Sequence, residues 1–172
     1  MPKTDSFFIR AALNAEQSGY KTTTIDLGAF VDALGKSVLR IHNVAVSITD
    51  SSGGFANLGT TANSTGAAQF QVTTQSQSGM VLPGTDKSLI ISGMSNSLRV
   101  PTASGVASQT SDEYDNLPQH WTNGVLVAVE QLYLNGQVAG DWQEDVYINL
   151  IMECTVETLS EKAAMALALS QS

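Results

Sequence analysis

Cysteine is all but missing. Cys154 stands alone, so no disulfide can form within the chain. With two histidines, His42 and His120, far apart in sequence, no zinc set of familiar spacing can be written. Charge is scarce as well: 14% of residues are charged, against about a quarter in an average domain. Eight Lys and Arg face sixteen Asp and Glu, a net charge of −8, and the cations are scattered. Lys3 and Arg10 are the only ones before Lys21. A nucleic-acid-binding domain concentrates cations in a stripe or arm, so direct binding to nucleic acid or an anionic membrane is not expected. No window approaches eighteen consecutive apolar residues, which argues against a membrane-spanning helix. The opening MPKTDSFFIRAALNAEQSGY lacks the apolar core and cleavage site of a signal peptide, so synthesis in a cytoplasm without cleaved export is expected.

Motifs for chemistry are equally short. No Gly-x-Ser-x-Gly elbow supports a nucleophilic serine. Gly53, Gly54 and Gly59 precede no Lys-Ser/Thr pair, so they match no phosphate loop. Asp112, Glu113 and Asp115 supply hard oxygens but lack the spacing and fixed glycine of an EF-hand, and read as a solvated acidic loop. Asn63-Ser64-Thr65 fits the glycosylation sequon, a chance match in a chain without an export signal. The expectation is a protein that is not an enzyme, with no catalytic residue, metal ligand or cofactor.

What is present is β-structure. At 172 residues the chain suits one domain with a sizeable core. Residues 145–157 alternate for a dozen positions: Val146, Ile148, Leu150, Met152, Cys154 and Val156 on one side, Tyr147, Asn149, Ile151, Glu153, Thr155 and Glu157 on the other. Period two marks a strand with one buried face. On that inward row Cys154 is a small buried hydrophobe. Residues 20–27 (YKTTTIDL) and 37–49 (SVLRIHNVAVSIT) also read as strands. In the second, the inward phase changes near Asn43, beside His42, which is the trace of a β-bulge. Residues 28–35 form a helical turn or a loop. Short strands follow at 69–74, 80–82, 87–92 and 97–100, with the turn Pro83-Gly84-Thr85-Asp86 among them. Long loops are expected at 50–67 and 102–119. Residues 123–134 (NGVLVAVEQLYL) read as one strand bulged near Glu130. Asn135-Gly136 then signals a hairpin into 145–157. Ser160 caps a helix through Leu169, with Glu161 at its positive end.

These elements predict an all-β antiparallel sandwich of jelly-roll type with a short C-terminal helix. The organisation is an N-terminal arm at 1–19, the sandwich at 20–159, and the helix and tail at 160–172. The arm contains Phe7, Phe8 and Ile9 and reads either as a strand with a turn or as one helical turn. Trp121 and Trp142 fall in loops or at strand edges, which argues against an immunoglobulin-like core.

The bulged strand at 37–49, the run 123–134 and DVYINLIMECTVETLSEKAAMALALS at 145–170 together resemble the single jelly-roll major capsid proteins of small tailless icosahedral viruses of bacteria and archaea. The resemblance is to an order of strands and a closing helix, and it spans under a third of the chain. It implies a self-assembling shell protein located in the virion. Its partners would be copies of itself, with other virion proteins or an internal membrane layer. The chain departs from many viral jelly rolls in having no basic arm, so another component would separate it from the genome. Two other classes remain open: a strand-donating fibre subunit, and a carbohydrate-binding sandwich using Tyr114, Trp121, Tyr133 and Trp142. Candidate assembly contacts are Phe7, Phe8, Ile9, Tyr147, Ile151, Met165, Leu167 and Leu169.

Overall fold

The computed structural model describes residues 4–32, 34, 36–61, 63–102 and 105–172, with the backbone alone at 101, 102 and 105–109. Lys3 of the N-terminal segment, Ala33 and Gly35 of the 28–35 turn, Ala62 of the first loop and Ala103 and Ser104 of the second lie outside the described residues.

The alternating stretch near the C-terminus forms the long strand β9 (Tyr147–Thr158), and the sandwich is laid out around it. Ile148, Leu150, Met152 and Cys154 are all at most 1% exposed on its inner row, each large side chain contributing about 1.5–3 kcal/mol by leaving water. β9 pairs on one side with β1 (Phe7–Asn14) and on the other with β3 (Ser37–Thr49). The short β7 (Val125–Val127) completes this sheet, in the order β1-β9-β3-β7. Facing it is a five-stranded sheet of β2 (Gly19–Asp26), β8 (Gln131–Gly140), β4 (Thr65–Thr73), β5 (Leu89–Thr102) and β6 (Gly105–Asn116), in the order β2-β8-β4-β5-β6. All ladders are antiparallel. Consecutive strands cross from sheet to sheet, except where β4, β5 and β6 run side by side. That double Greek key is a jelly roll, extended by β6 at one edge.

The bulge expected in β3 is present: its register with β9 slips between Ile41 and Asn43, leaving His42 as the extra residue. Gly124, at φ +64°, sits against it. A Cβ there would meet the carbonyl oxygen of Ile41, so only glycine fits the approach. The C-terminal helix α1 (Glu161–Gln171) begins where expected, with Ser160 Oγ accepting from the Ala163 amide at 3.3 Å. It lies on the outer face of the four-stranded sheet, where Val38, Ala128 and Ala164 form a second small core with Leu126, Leu159, Leu167 and Ala168 around them. No described helix is long and apolar enough to cross a membrane.

Several expectations are corrected. Within the segment 1–19, the strand alternative holds at Phe7–Asn14, which is the edge strand β1 held by β9 through eight residue pairs. The segment 123–134 is two strands, not one bulged strand. The phase change near Glu130 is where the chain leaves one sheet for the other. Asn135-Gly136 makes no hairpin turn and lies inside β8, which pairs with β2 and β4 and not with β9. Gly136 is there for packing, since a Cβ would fall 2.5 Å from Ile148 Cδ1 and 2.9 Å from Leu13 Cδ2. The strand at 80–82 is absent, and the segments 87–92 and 97–100 fuse into β5. The loop at 102–119 is largely β6, so the acidic cluster lies on an edge strand. Charges on an exposed edge discourage further strand pairing there.

Three glutamines hold peripheral segments in place by imitating a backbone strand. Gln71 bonds both the amide and carbonyl of Val81, at 2.9 and 2.8 Å. Gln119 does the same to Val44, beside the bulge, at 3.0 and 2.9 Å. Gln171 accepts from the Ala128 amide at 2.9 Å and donates to the Leu126 carbonyl at 2.8 Å. The last pair caps groups on β7 and fastens the end of α1 across it.

Candidate assembly surfaces

Phe7, Phe8 and Ile9 belong to a strand, so consecutive side chains point to opposite faces. Phe7 turns inward and stacks on Phe30, with ring centroids 4.7 Å apart. Ile9 packs on the same core. Phe8 points outward and is 58% exposed, with the Arg10 guanidinium 5.6 Å above its ring. Arg10 is opposite Ile151 in the ladder, and Ile151 is exposed as well. A shallow recess of about 400 Å³ lies there, lined by Arg10, Ala11, Ala12, Asn149, Leu150 and Ile151. Tyr147 is half-buried at the far end of β9, four residues or about 13 Å from Ile151. The sheet therefore joins Phe8 and Ile151 on one surface and leaves Tyr147 apart.

The helix makes a second surface. Leu167 turns toward the small core, while Met165 and Leu169 are exposed. With Leu34 they edge a mostly apolar recess of about 360 Å³ that also takes in Ala128, Val129 and Ala168. Sequence reading missed Leu34, along with Phe55 and Leu82, all exposed. They sit in loops or turns, where no periodicity marks a side chain as outward.

The other singled-out residues are spread through the fold. His42 Nε2 lies 2.9 Å from Thr155 Oγ1 on the outer face. His120 ends the 3₁₀ turn Pro118–His120. Asp115 accepts from Ser92 Oγ at 3.0 Å. Among the described residues, no three His, Cys, Asp or Glu side chains gather as metal ligands. Of the four aromatics considered for a sugar-binding face, Tyr114 and Trp121 are exposed and Trp142 is not. Trp142 is buried and donates to the Ala67 carbonyl, and Tyr114 leans onto Phe70 with centroids 5.9 Å apart.

Cys154 is fully buried. Burial first, and the negative Glu153 second, push its thiol up to about 12, against an ordinary value of about 8.5. The thiol thus stays protonated while the unfolded chain would ionise, so its contribution is intact below about pH 8.5 and is lost as pH rises toward 12. A thiol reagent at pH 8 is expected to leave the native protein unlabelled and to react once denaturant unfolds it. Prompt stoichiometric labelling of native protein would contradict this placement.

No protein-family model matches the chain, and no curated protein sequence matches it. Among solved structures it is similar to VP1 of Trichodysplasia spinulosa-associated polyomavirus in complex with sialylated glycooligomers, at TM-score 0.40 and 11% identity over 89% of this chain and 95% of that one. The unassembled VP1 pentamer of Merkel cell polyomavirus gives 0.38 and 8% over 89% and 96%. Desmodium yellow mottle tymovirus gives 0.37 and 7% over 92% and 89%. Likeness at this level carries no functional argument. The jelly roll follows from the chain's own strand order.

Proposed function

We propose that the chain is a structural shell subunit that assembles with copies of itself, the major capsid protein of a tailless icosahedral virus of bacteria or archaea. The observation that carries this is the distribution of exposed apolar side chains over separate parts of one jelly roll. Phe8 and Ile151 lie on the four-stranded sheet, Leu34, Met165 and Leu169 beside the helix, and Phe55 and Leu82 on loops. A two-fold dimer needs one self-complementary patch, whereas a closed shell needs several unlike contacts on each subunit. The role is structural and needs no catalysis or cofactor. The subunit is made in the host cytoplasm and resides in the virion. The net charge of −8 favours a placement away from the genome, over other virion proteins or an internal membrane layer. Strand donation by residues 1–19 is the weaker reading, since β1 already fills an edge of its own sheet.

Light scattering and sedimentation over a concentration series test the reading, with negative-stain microscopy of the largest species. Discrete oligomers or shells are expected. Phe8→Asp and Leu169→Asp should each reduce particle size without altering the circular dichroism spectrum. A monomer at every concentration would reject the proposal.

A further inference from the structure

Four strands end the two sheets, and three of those edges are protected. β7 is three residues long, and Gln171 takes up the Ala128 amide and the Leu126 carbonyl beside it. β6 carries Asp112, Glu113 and Asp115, and β2 carries Lys21 and Asp26. The fourth edge, β1, has eight residues, FFIRAALN, and one charge, Arg10. Shortness, covering and charge are the usual protections of an edge strand, and β1 has the least of them. Its inward row is also incompletely covered. Phe7, Ile9 and Ala11 pack on the core yet remain half-buried, and only Leu13 is buried.

The hydrogen-bond phase of β1 decides which of its groups are left over. The Ala15 amide donates to the Val146 carbonyl at 2.9 Å, which makes theirs a hydrogen-bonded pair. Such pairs recur at every second residue, so Leu13, Ala11 and Ile9 turn their N–H and C=O toward β9. The far side of β9 has the same phase. There the amide and carbonyl of Val44 point away to Gln119, leaving its ladder partner Met152 to bond Ile9. Phe8, Arg10 and Ala12 therefore direct their N–H and C=O off the edge, where the sheet ends. Such a row on an apolar strand is a template for another strand. The row is self-complementary. In an antiparallel pair about a two-fold axis at Ile9, Phe8 lies opposite Arg10 of the second copy and Arg10 opposite its Phe8, with about four hydrogen bonds between them. The two side chains already meet within one chain, the guanidinium 5.6 Å from the ring centroid. Next along that row stands Glu153, the β9 neighbour of Phe8, one oxygen of which accepts from Asn43 at 2.6 Å. The cation of one copy thus points toward a carboxylate of the other. An axis at Arg10 would oppose like charges, and one at Phe8 would leave the guanidinium opposite Ser6.

We infer that β1 pairs edge to edge with β1 of a second copy, antiparallel and about an axis at Ile9, joining the two four-stranded sheets into one. The inference rests on the self-association proposed above and gives its Phe8 and Ile151 surface a geometry.

Two kinds of variant test this, with association read by sedimentation over a concentration series. Ala12→Pro removes an N–H directed off the sheet, so it should leave Tm nearly unaltered and weaken self-association at least tenfold. If that variant folds poorly, Arg10→Glu should weaken association as much, by turning a carboxylate toward Glu153 of the second copy. Ile9→Cys places a thiol on the axis, opposite its own counterpart in a non-hydrogen-bonded pair with Cα atoms about 4.5 Å apart. Mild oxidation should then give a covalent dimer. Ala11→Cys, offset along the strand from its own counterpart by about 13 Å, should give none. The native Cys154 is buried and takes no part. A parent protein that stays monomeric would overturn this inference and the shell reading together. A parent that associates, with Ala12→Pro and Arg10→Glu unchanged or with no crosslink in folded Ile9→Cys, would overturn this inference alone. It would give the edge to another partner, or the contact to another surface. Crosslinking of Ala11→Cys as readily as of Ile9→Cys would reject the register and the proposal with it.

Discussion

Replacing Glu157 by Ala is expected to lower stability by about 3–5 kcal/mol, the usual cost of stranding one member of a buried ion pair. In a chain of this length that is a fall in Tm of the order of 10 °C. Glu157 is 1% exposed on the outer row of β9, where its carboxylate accepts from Arg40 Nε at 2.6 Å and Nη2 at 3.0 Å. Arg40 also donates to the Asn123 carbonyl, tying the pair to the segment that leads into β7. Removing the carboxylate leaves a guanidinium that is 15% exposed without its main counter-charge. The double variant Arg40→Met, Glu157→Leu should recover most of the loss, because apolar side chains of similar volume avoid the desolvation penalty altogether. Thermal and urea unfolding of the three proteins would decide the matter. A single variant within about 1 kcal/mol of the parent would show that the pair is not energetically important.

Asn135→Ala should be nearly as damaging, by about 2–4 kcal/mol, through unmade hydrogen bonds and not lost volume. Asn135 is 1% exposed on the outer face of β8. Its Oδ1 accepts from Tyr20 at 2.9 Å and Thr22 at 2.8 Å, and its Nδ2 donates to Thr73 Oγ1 at 2.9 Å. The Tyr20 hydroxyl shares its single proton with the Gln77 carbonyl at 3.1 Å, and Thr73 donates to the Gln75 carbonyl at 2.7 Å, so the network fixes the start of the segment between β4 and β5. Asn135→Ala is therefore expected to raise amide exchange across residues 75–88 more than in β9. Uniform exchange changes, or stability equal to the parent's, would contradict that assignment.

Much of the fold was legible because it rests on local periodicity. The alternation in 145–157 specifies β9 and its inward Cys154, since a strand with one buried face needs apolar residues at every second position. The phase change at Asn43 locates the bulge, because an extra residue must invert the pattern. Ser160, Glu161 and the Ala/Leu/Met run after them specify α1 for an equally local reason. The same rule failed at 123–134. A phase change also arises when a strand ends and the chain crosses to the facing sheet, and a single sequence does not separate the two cases. Asn135-Gly136 misled for a related reason. The dipeptide favours a tight turn only when no tertiary contact opposes it, and here Asn135 is a buried node and Gly136 clears space for Ile148. Likewise, 102–119 lacks the apolar alternation of a strand because β6 is an edge strand, exposed to water along residues 110–115.

The assembly candidates divide along the same line. That Phe7, Phe8 and Ile9 alternate is a property of the strand, but which of them faces outward depends on how β1 docks against β9. The three backbone-bonding glutamines had no signature at all, because their partners lie 10, 75 and 45 residues away along the chain. The amino-acid sequence by itself determined the all-β class, the scarcity of charge, the bulge, the capped helix and the buried thiol. Each of these depends on side chains within a few residues of one another. Only the tertiary structure decided which strands pair and which apolar residues remain in contact with water. Those outcomes depend on contacts between segments that meet only after the two sheets have closed.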